Sequence, residues 1–281
     1  MEPLKISSLI LLSSFVLSCT GDIKGEKGDT GTPGQDATSA ALISLKRPAF
    51  RSSTGSANKV VVPATVSKPA KVLIKGSVYT NTSDTTLDPS TAGPGGLDAP
   101  GGPAASTIYY LYAIPAGTGS TFNLVASAND PDTGPTAYTD WSYLGSFYTL
   151  ADSSLPAFIY ARGRLVANQQ LETKTHPLSD ATPGGIAYTL KVPLHALSVI
   201  GFAEREAQQR GTTFWSGTTS GFASVINLDA LAGQGAQQIY RAEIPLYDGP
   251  KIYISNENQA AGTYNAYWVT VGWTEDPTDW N

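Results

Sequence analysis

In the stretch VLIKGSVY, Val72, Ile74, Gly76 and Val78 fall on one side of a period-two pattern, and Leu73, Lys75, Ser77 and Tyr79 fall on the other. That alternation is the signature of a half-buried strand. The same pattern predicts strands at residues 108–114, 122–127, 142–149, 157–161, 186–194, 251–255 and 264–273. Clusters of Gly, Pro, Asn and Asp at residues 90–103, 129–135, 182–185 and 248–250 separate them as turns. One segment departs from this pattern: within residues 197–210, the run AEREAQQR predicts the close of a short helix. Many short strands with Gly/Pro turns predict an all-β fold, a β-sandwich or jelly-roll-like head over residues 37–281. A division of that head into two subdomains would fall near residues 170–185.

A different pattern precedes the head. Residues 6–16 (ISSLILLSSFV) are apolar but too few to span a bilayer in the ordinary way, and they follow a start containing Glu2 and Lys5. Residues 1–18 read as an export signal that is removed. The run ends Val16-Leu17-Ser18-Cys19, which resembles the bacterial lipoprotein lipobox: an aliphatic residue, then a small residue directly before the cysteine. Leu17 departs from the small residue usual at its position. The resemblance implies that diacylglycerol alkylates the Cys19 thiol and that residues 19–24 form a lipidated N-terminus. Several acyl chains give a stable anchor where one does not. The implied location is that of an exported lipoprotein at the outer membrane or cell surface. The alternative is an uncleaved or ordinary signal with an incidental buried cysteine. Cys19 is the only cysteine of 281 residues, so no internal disulfide holds the head.

Between anchor and head, Gly25, Gly28, Gly31 and Gly34 begin four Gly-X-Y triplets in register over residues 25–36. A collagen triple helix needs glycine at every third place because only hydrogen fits at its crowded axis. The charged X and Y residues and Pro33 suit a short collagen-like stalk; a flexible Gly-rich linker is the alternative. Either one spaces the head from its anchor.

Charge removes two classes of partner. With 18 basic and 23 acidic residues the net charge is −5, which supplies no attraction for nucleic acid or an anionic bilayer surface. Candidate chemistry is sparse. His176 precedes Pro177 in a predicted loop, and His195 lies in an apolar run as a satisfied core histidine. Neither has metal-ligand spacing, and no nucleophile elbow or phosphate-binding glycine loop is present. Asp130 and Asp132 read as turn formers beside Pro and Gly. Glu275 and Asp276 are adjacent, and whether carboxylates face each other across a cleft is not a property of sequence. No catalytic residue, metal or cofactor is assigned.

Aromatic residues are the better lead: five tryptophans and fourteen tyrosines offer flat faces on which sugar rings stack. Trp141, Tyr143, Trp215 and Trp280 lie in turn-like or polar surroundings and are the candidate ligand contacts. Tyr110, Tyr112, Phe158, Tyr267 and Trp268 alternate on strands as core or subunit interface.

The stretch STIYYLYAIPAGTGSTFNLVASANDPDTGPTAYTDWSYLGSFYT, residues 106–149, resembles a module of bacteriophage tail fibres and related receptor-binding proteins. The matching pieces are residues 110–114, 124–127, 135–149 and 158–166, with a closing strand at 267–277, so the likeness spans roughly residues 70–277. It implies a homotrimer whose β-rich tip touches a surface receptor. A collagen-like stalk followed by a β head also resembles, in architecture only, the C1q and tumour-necrosis-factor type of trimer; the head here is much longer than that jelly roll. Together these imply a lipid-anchored, trimeric, adhesin-like protein that contacts a glycan or another cell's envelope. A structural coat lipoprotein without a ligand and a polysaccharide hydrolase on a fibre-type scaffold are the alternatives.

Overall fold

The computed structural model describes residues 46–53, 58–177, 182–205, 211–217, 226–230, 238–256 and 265–276. The signal, Cys19, the triplets and Trp280 lie outside the described residues. Leu42–Asn281 forms one compact unit.

The described residues hold eighteen strands and no helix. The first eight are β1 (Phe50–Ser52), β2 (Val60–Val62), β3 (Ala70–Ile74), β4 (Ser77–Asn81), β5 (Thr85–Leu87), β6 (Ile108–Pro115), β7 (Phe122–Ser127) and β8 (Ser142–Tyr148). Next come β9 (Phe158–Ala161), β10 (Arg164–Ala167), β11 (Glu172–Pro177), β12 (Thr182–Thr189) and β13 (Ala196–Arg205). Last are β14 (Gly211–Ser216), β15 (Ile226–Ala230), β16 (Gln238–Pro245), β17 (Lys251–Asn256) and β18 (Asn265–Glu275). The fold is all-β, as the alternation predicts.

Four antiparallel sheets result. The largest runs β16-β13-β18-β10-β9-β1-β2-β5, with β11 paired to β18 as its ninth strand. A second runs β12-β17-β14-β15, a third β7-β6-β8, and β3 pairs with β4. Strands from either side of residues 170–185 share the large sheet, because β18 takes β10 and β11 on one flank and β13 on the other. Phe50, Phe158, Tyr160, Leu165 and Trp273 of that sheet join Leu111 and Phe147 of the third and Trp215, Ile252 and Ile254 of the second in one buried cluster. A second, smaller cluster holds Tyr110, Tyr112, Ile114, Val125 and Tyr143. Strand β8 is buried along its whole length.

Several local expectations need correction. The alternation through residues 72–79 is two strands, not one: Ile74 pairs with Ser77 across a two-residue turn in which Lys75 and Gly76 have φ of +46° and +80°. Positive φ at both central positions marks the hairpin turn whose twist matches the strands it joins. The predicted helix is absent from Ala203–Arg205, which belong to β13 and pair on both flanks with β16 and β18; residues 206–210 are outside the described set. Sheet pairing outweighs the helix preference of a short Ala/Glu run. Residues 182–185, predicted as a turn, open β12 instead, with a bulge before Ile186. His176 sits on β11, buried, with Nδ1 3.0 Å from the Tyr188 hydroxyl.

A second two-residue turn joins β9 to β10, where Arg162 and Gly163 have φ of +55° and +74°. Its Gly163 carbonyl accepts the Glu275 backbone N–H at 2.6 Å, so this turn fixes the end of β18. Arginine is a poor occupant of left-handed backbone, and Asn-Gly is the preferred pair. Arg162→Asn is therefore expected to stabilise the head by about 0.5–1 kcal/mol, a rise in Tm of roughly 2–3 °C. A thermal melt checks it, and an unchanged or lower Tm refutes it.

Candidate functional site

Two bulges build the most polar part of the interior. Along β18, Ala266, Trp268 and Thr270 are buried at even positions, then Trp273 and Glu275 at odd ones. The change of parity coincides with a register shift against β13 between Ile200 and Gly201. Along β8, a shift against β6 at Leu144 and Gly145 lets both Tyr143 and Ser146 face β18, although they are three residues apart. An extra residue in one strand reverses which face the following side chains occupy. Gly145 has φ +149°, and a Cβ there would lie 2.4 Å from Cζ of Tyr160, so the Tyr160 ring occupies the space that a side chain would need.

These side chains converge on Glu275, which is 2% exposed. Its Oε2 accepts from the Tyr143 hydroxyl at 2.7 Å and the Tyr160 hydroxyl at 3.0 Å. Its Oε1 accepts from Trp273 Nε1 at 2.8 Å and from the Ser146 hydroxyl. His195 Nε2 lies 3.5 Å from Oε2 and 3.2 Å from the Tyr143 oxygen. Burial alone would raise the Glu275 carboxyl, but the hydrogen bond and charge of His195, with the Ser146 and Tyr143 hydroxyls, hold it below the usual carboxylate range. Burial and the Glu275 charge push the Tyr143 and Tyr160 phenols up, and the same causes carry Tyr110 up to about 12. The Arg47 guanidinium lies 5.1 Å from the centre of the Tyr143 ring, a cation–π contact. It also favours the ionised form of Tyr160, although its own nitrogens are buried outside hydrogen-bonding geometry.

Chemically this is a closed network. A carboxylate offers about four lone-pair positions, and here four hydroxyl and indole donors, two on each oxygen, meet it together with His195 beside Oε2. Glu275 has no position left from which to take a proton from a ligand. The network ties β8, β9, β18 and the turn before β13 together.

The sequence-predicted ligand contacts divide. Trp141 is half-buried at the rim of the smaller cluster, next to half-buried Tyr138. Its indole packs edge-on to Tyr112 at 5.2 Å, and one face rests on Gly134, where a Cβ would come within 2.6 Å of the ring. Beside it Asp140 pairs with Lys75 of the β3–β4 turn, which holds the Asp140 carboxyl below its usual range. Tyr143 and Trp215 must be corrected: both are fully buried. Tyr143 points into the Glu275 network. Trp215 lies on β14 and packs its ring 6.1 Å from that of Trp268. The polar letters around Trp215 suggest a loop, but in a strand alternate residues face opposite sides, so polar neighbours do not place a residue outside. Trp280 and the lipidation candidate Cys19 lie outside the described residues.

The sequence does not mark Glu275 as a site: its signal is a single acid two residues after Trp273 and next to Asp276. Asp130 behaves as the turn former expected, its carboxylate accepting the Thr133 N–H at 3.1 Å. Asn81, at the end of β4, is an internal clamp that donates to the Phe122 carbonyl at 2.8 Å and accepts the Phe122 N–H at 3.2 Å. Among the described residues no group of His, Cys, Asp and Glu could hold a metal ion, and no helix is long and apolar enough to cross a membrane.

No protein-family model matches this chain, and no curated protein matches it. Among solved structures, a structure of the infectious bursal disease virus Gx strain is 12% identical, covers 81% of this chain and 68% of its own, and has a TM-score of 0.15. The VP2 subviral particle of infectious bursal disease virus is also 12% identical, covers 84% and 72%, and has a TM-score of 0.18. Such TM-scores establish no common fold and carry no functional meaning for this chain.

Proposed function

We propose that this chain is a lipid-anchored surface-binding protein. Cys19 is acylated and holds it to a membrane, the triplets at 25–36 space it outward, and three β heads together present a contact surface to a glycan or another cell's envelope. The observation that carries this reading is the order of parts in the sequence: an apolar run ending in Val-Leu-Ser-Cys, then Gly-X-Y triplets, then a long head. The all-β architecture of that head agrees with it.

Within the head, the rim that includes Tyr138, Asp140, Trp141 and Lys75 is the best-placed contact. It combines a half-buried indole with a solvent-exposed acid and amine, the mixture that stacks on a sugar's C–H face and bonds its hydroxyls. Trp141→Ala is expected to weaken glycan binding by the purified protein at least tenfold, read on a broad glycan array, with a lower Tm but a cooperative melt because the indole also packs on Tyr112 and Gly134. Absence of any binding across such an array would remove the adhesin reading. Trp215→Ala is unsuitable for this purpose, because Trp215 is a core residue. The burial of Tyr143 and Trp215 favours one second reading, a coat lipoprotein whose head associates without a ligand.

A further inference from the structure

We propose that Leu194, Leu197 and Tyr247 form the surface through which three copies of the head associate, an inference that rests on the trimeric reading above. These three large side chains are 65%, 52% and 64% exposed. They share one corner of the head. The Leu197 carbonyl accepts the Leu246 N–H at 2.8 Å, which places Tyr247 one residue further along, and the Ala196 N–H bonds the Pro193 carbonyl at 3.0 Å in the turn that carries Leu194. The corner belongs to the outermost flank of the large sheet, where β16 is the end strand and its ladder partner among the described residues is β13. Exposed Val66, Val78, Ile159 and Ile186 lie on other elements, and Ile239 and Tyr240 lie at the opposite end of β16. Grouped large apolar side chains on a surface mark a contact, whereas single ones do not.

Two observations name the occupant as further copies of this chain. The triplets at 25–36 are useful as a triple helix only with three chains, and at about 3.1 Å per residue they extend roughly 37 Å, too little to hold three chains unaided. The heads must supply the contact. The first described residues also reach this corner through a side chain: the Arg47 guanidinium lies 5.1 Å from the centre of the Tyr143 ring, and His195, next to Leu194, packs on the same ring with centres 5.6 Å apart. Cyclic symmetry would bring the same corner of each of three copies into one contact.

Sedimentation of the full-length, detergent-solubilised protein tests this, with far-UV circular dichroism and thermal melts to confirm folding. The wild type and Ile239→Asp, at a 58% exposed position at the opposite end of β16, are expected to sediment as trimers. The double variant Leu194→Asp/Leu197→Asp and, separately, Tyr247→Asp are expected to associate at least a hundredfold more weakly, with native melts. A wild-type trimer that survives either substitution undiminished overturns the assignment of this corner and leaves the trimeric reading standing. A monomeric wild type overturns both.

Discussion

Replacing Glu275 by alanine is expected to destabilise the head by about 3–5 kcal/mol, the usual cost of removing one partner from a buried charged network. At roughly 2–4 °C per kcal/mol for a domain of this size, Tm should fall by about 10 °C or more. The reason is not the loss of a charge as such. Four donors, from Tyr143, Tyr160, Ser146 and Trp273, point at the two carboxylate oxygens. Without the carboxylate the Tyr160 and Ser146 hydroxyls would lose their acceptor, at about 1–3 kcal/mol for a stranded polar group, while Tyr143 would keep His195 Nε2 at 3.2 Å and Trp273 Nε1 would keep the Ser146 oxygen at 3.0 Å. Glu275→Gln, which keeps the shape, should recover only part of the loss, because its amide nitrogen would face donors.

The same site sets a pH dependence with a definite sign. The folded state holds the Glu275 carboxyl below its ordinary value of 4.5. A group whose folded pKa is lowered contributes its full stabilisation above the ordinary value and loses it as pH falls through the lowered one. Wild-type stability should therefore decline as pH drops below 4.5, and the Glu275→Ala variant should show less of that decline. Denaturant titrations at pH 7, 4.5 and 3 measure it. Equal pH slopes for the two proteins would mean that Glu275 is not the group responsible.

Gly145→Ala is the second large effect. The new methyl would meet Cζ, Cε1 and Cε2 of Tyr160 at 2.4, 2.6 and 2.8 Å, inside van der Waals contact with a ring that is itself fixed by its bond to Glu275. The backbone φ of +149° is also one that residues with a side chain rarely adopt. Overpacking and backbone strain together should cost on the order of 3 kcal/mol. Pairing Gly145→Ala with Tyr160→Ala separates the two causes. If the ring clash dominates, the double variant should be less unstable than the sum of the single ones, measured as a coupling free energy in denaturant. Strict additivity would assign the cost to the backbone alone.

These effects show where sequence was informative and where it was not. Period-two alternation located β6, β7, β8, β17 and most of β18, because each is long enough for several inward side chains to repeat. It failed where the period itself breaks. The Lys75-Gly76 and Arg162-Gly163 turns carry cationic residues at positions usually given to Asn or Asp, so one hairpin read as a single strand. The bulges in β8 and β18 reverse parity midway, which puts Tyr143, Ser146, Trp273 and Glu275 on one site although no single alternation groups them. His195 was legible as a satisfied histidine, but its partners come from strands 52 and 80 residues away. Trp141 and Trp215 sit in similar polar stretches, and only the packing of the second sheet on Trp268 distinguishes the buried one from the rim residue.

The most direct test of a lipid-anchored trimer is the native mass of the detergent-solubilised protein. The expected result is a particle of three chains, each lacking residues 1–18 and carrying acyl groups on Cys19. A single chain with a free Cys19 thiol would contradict both the anchor and the assembly.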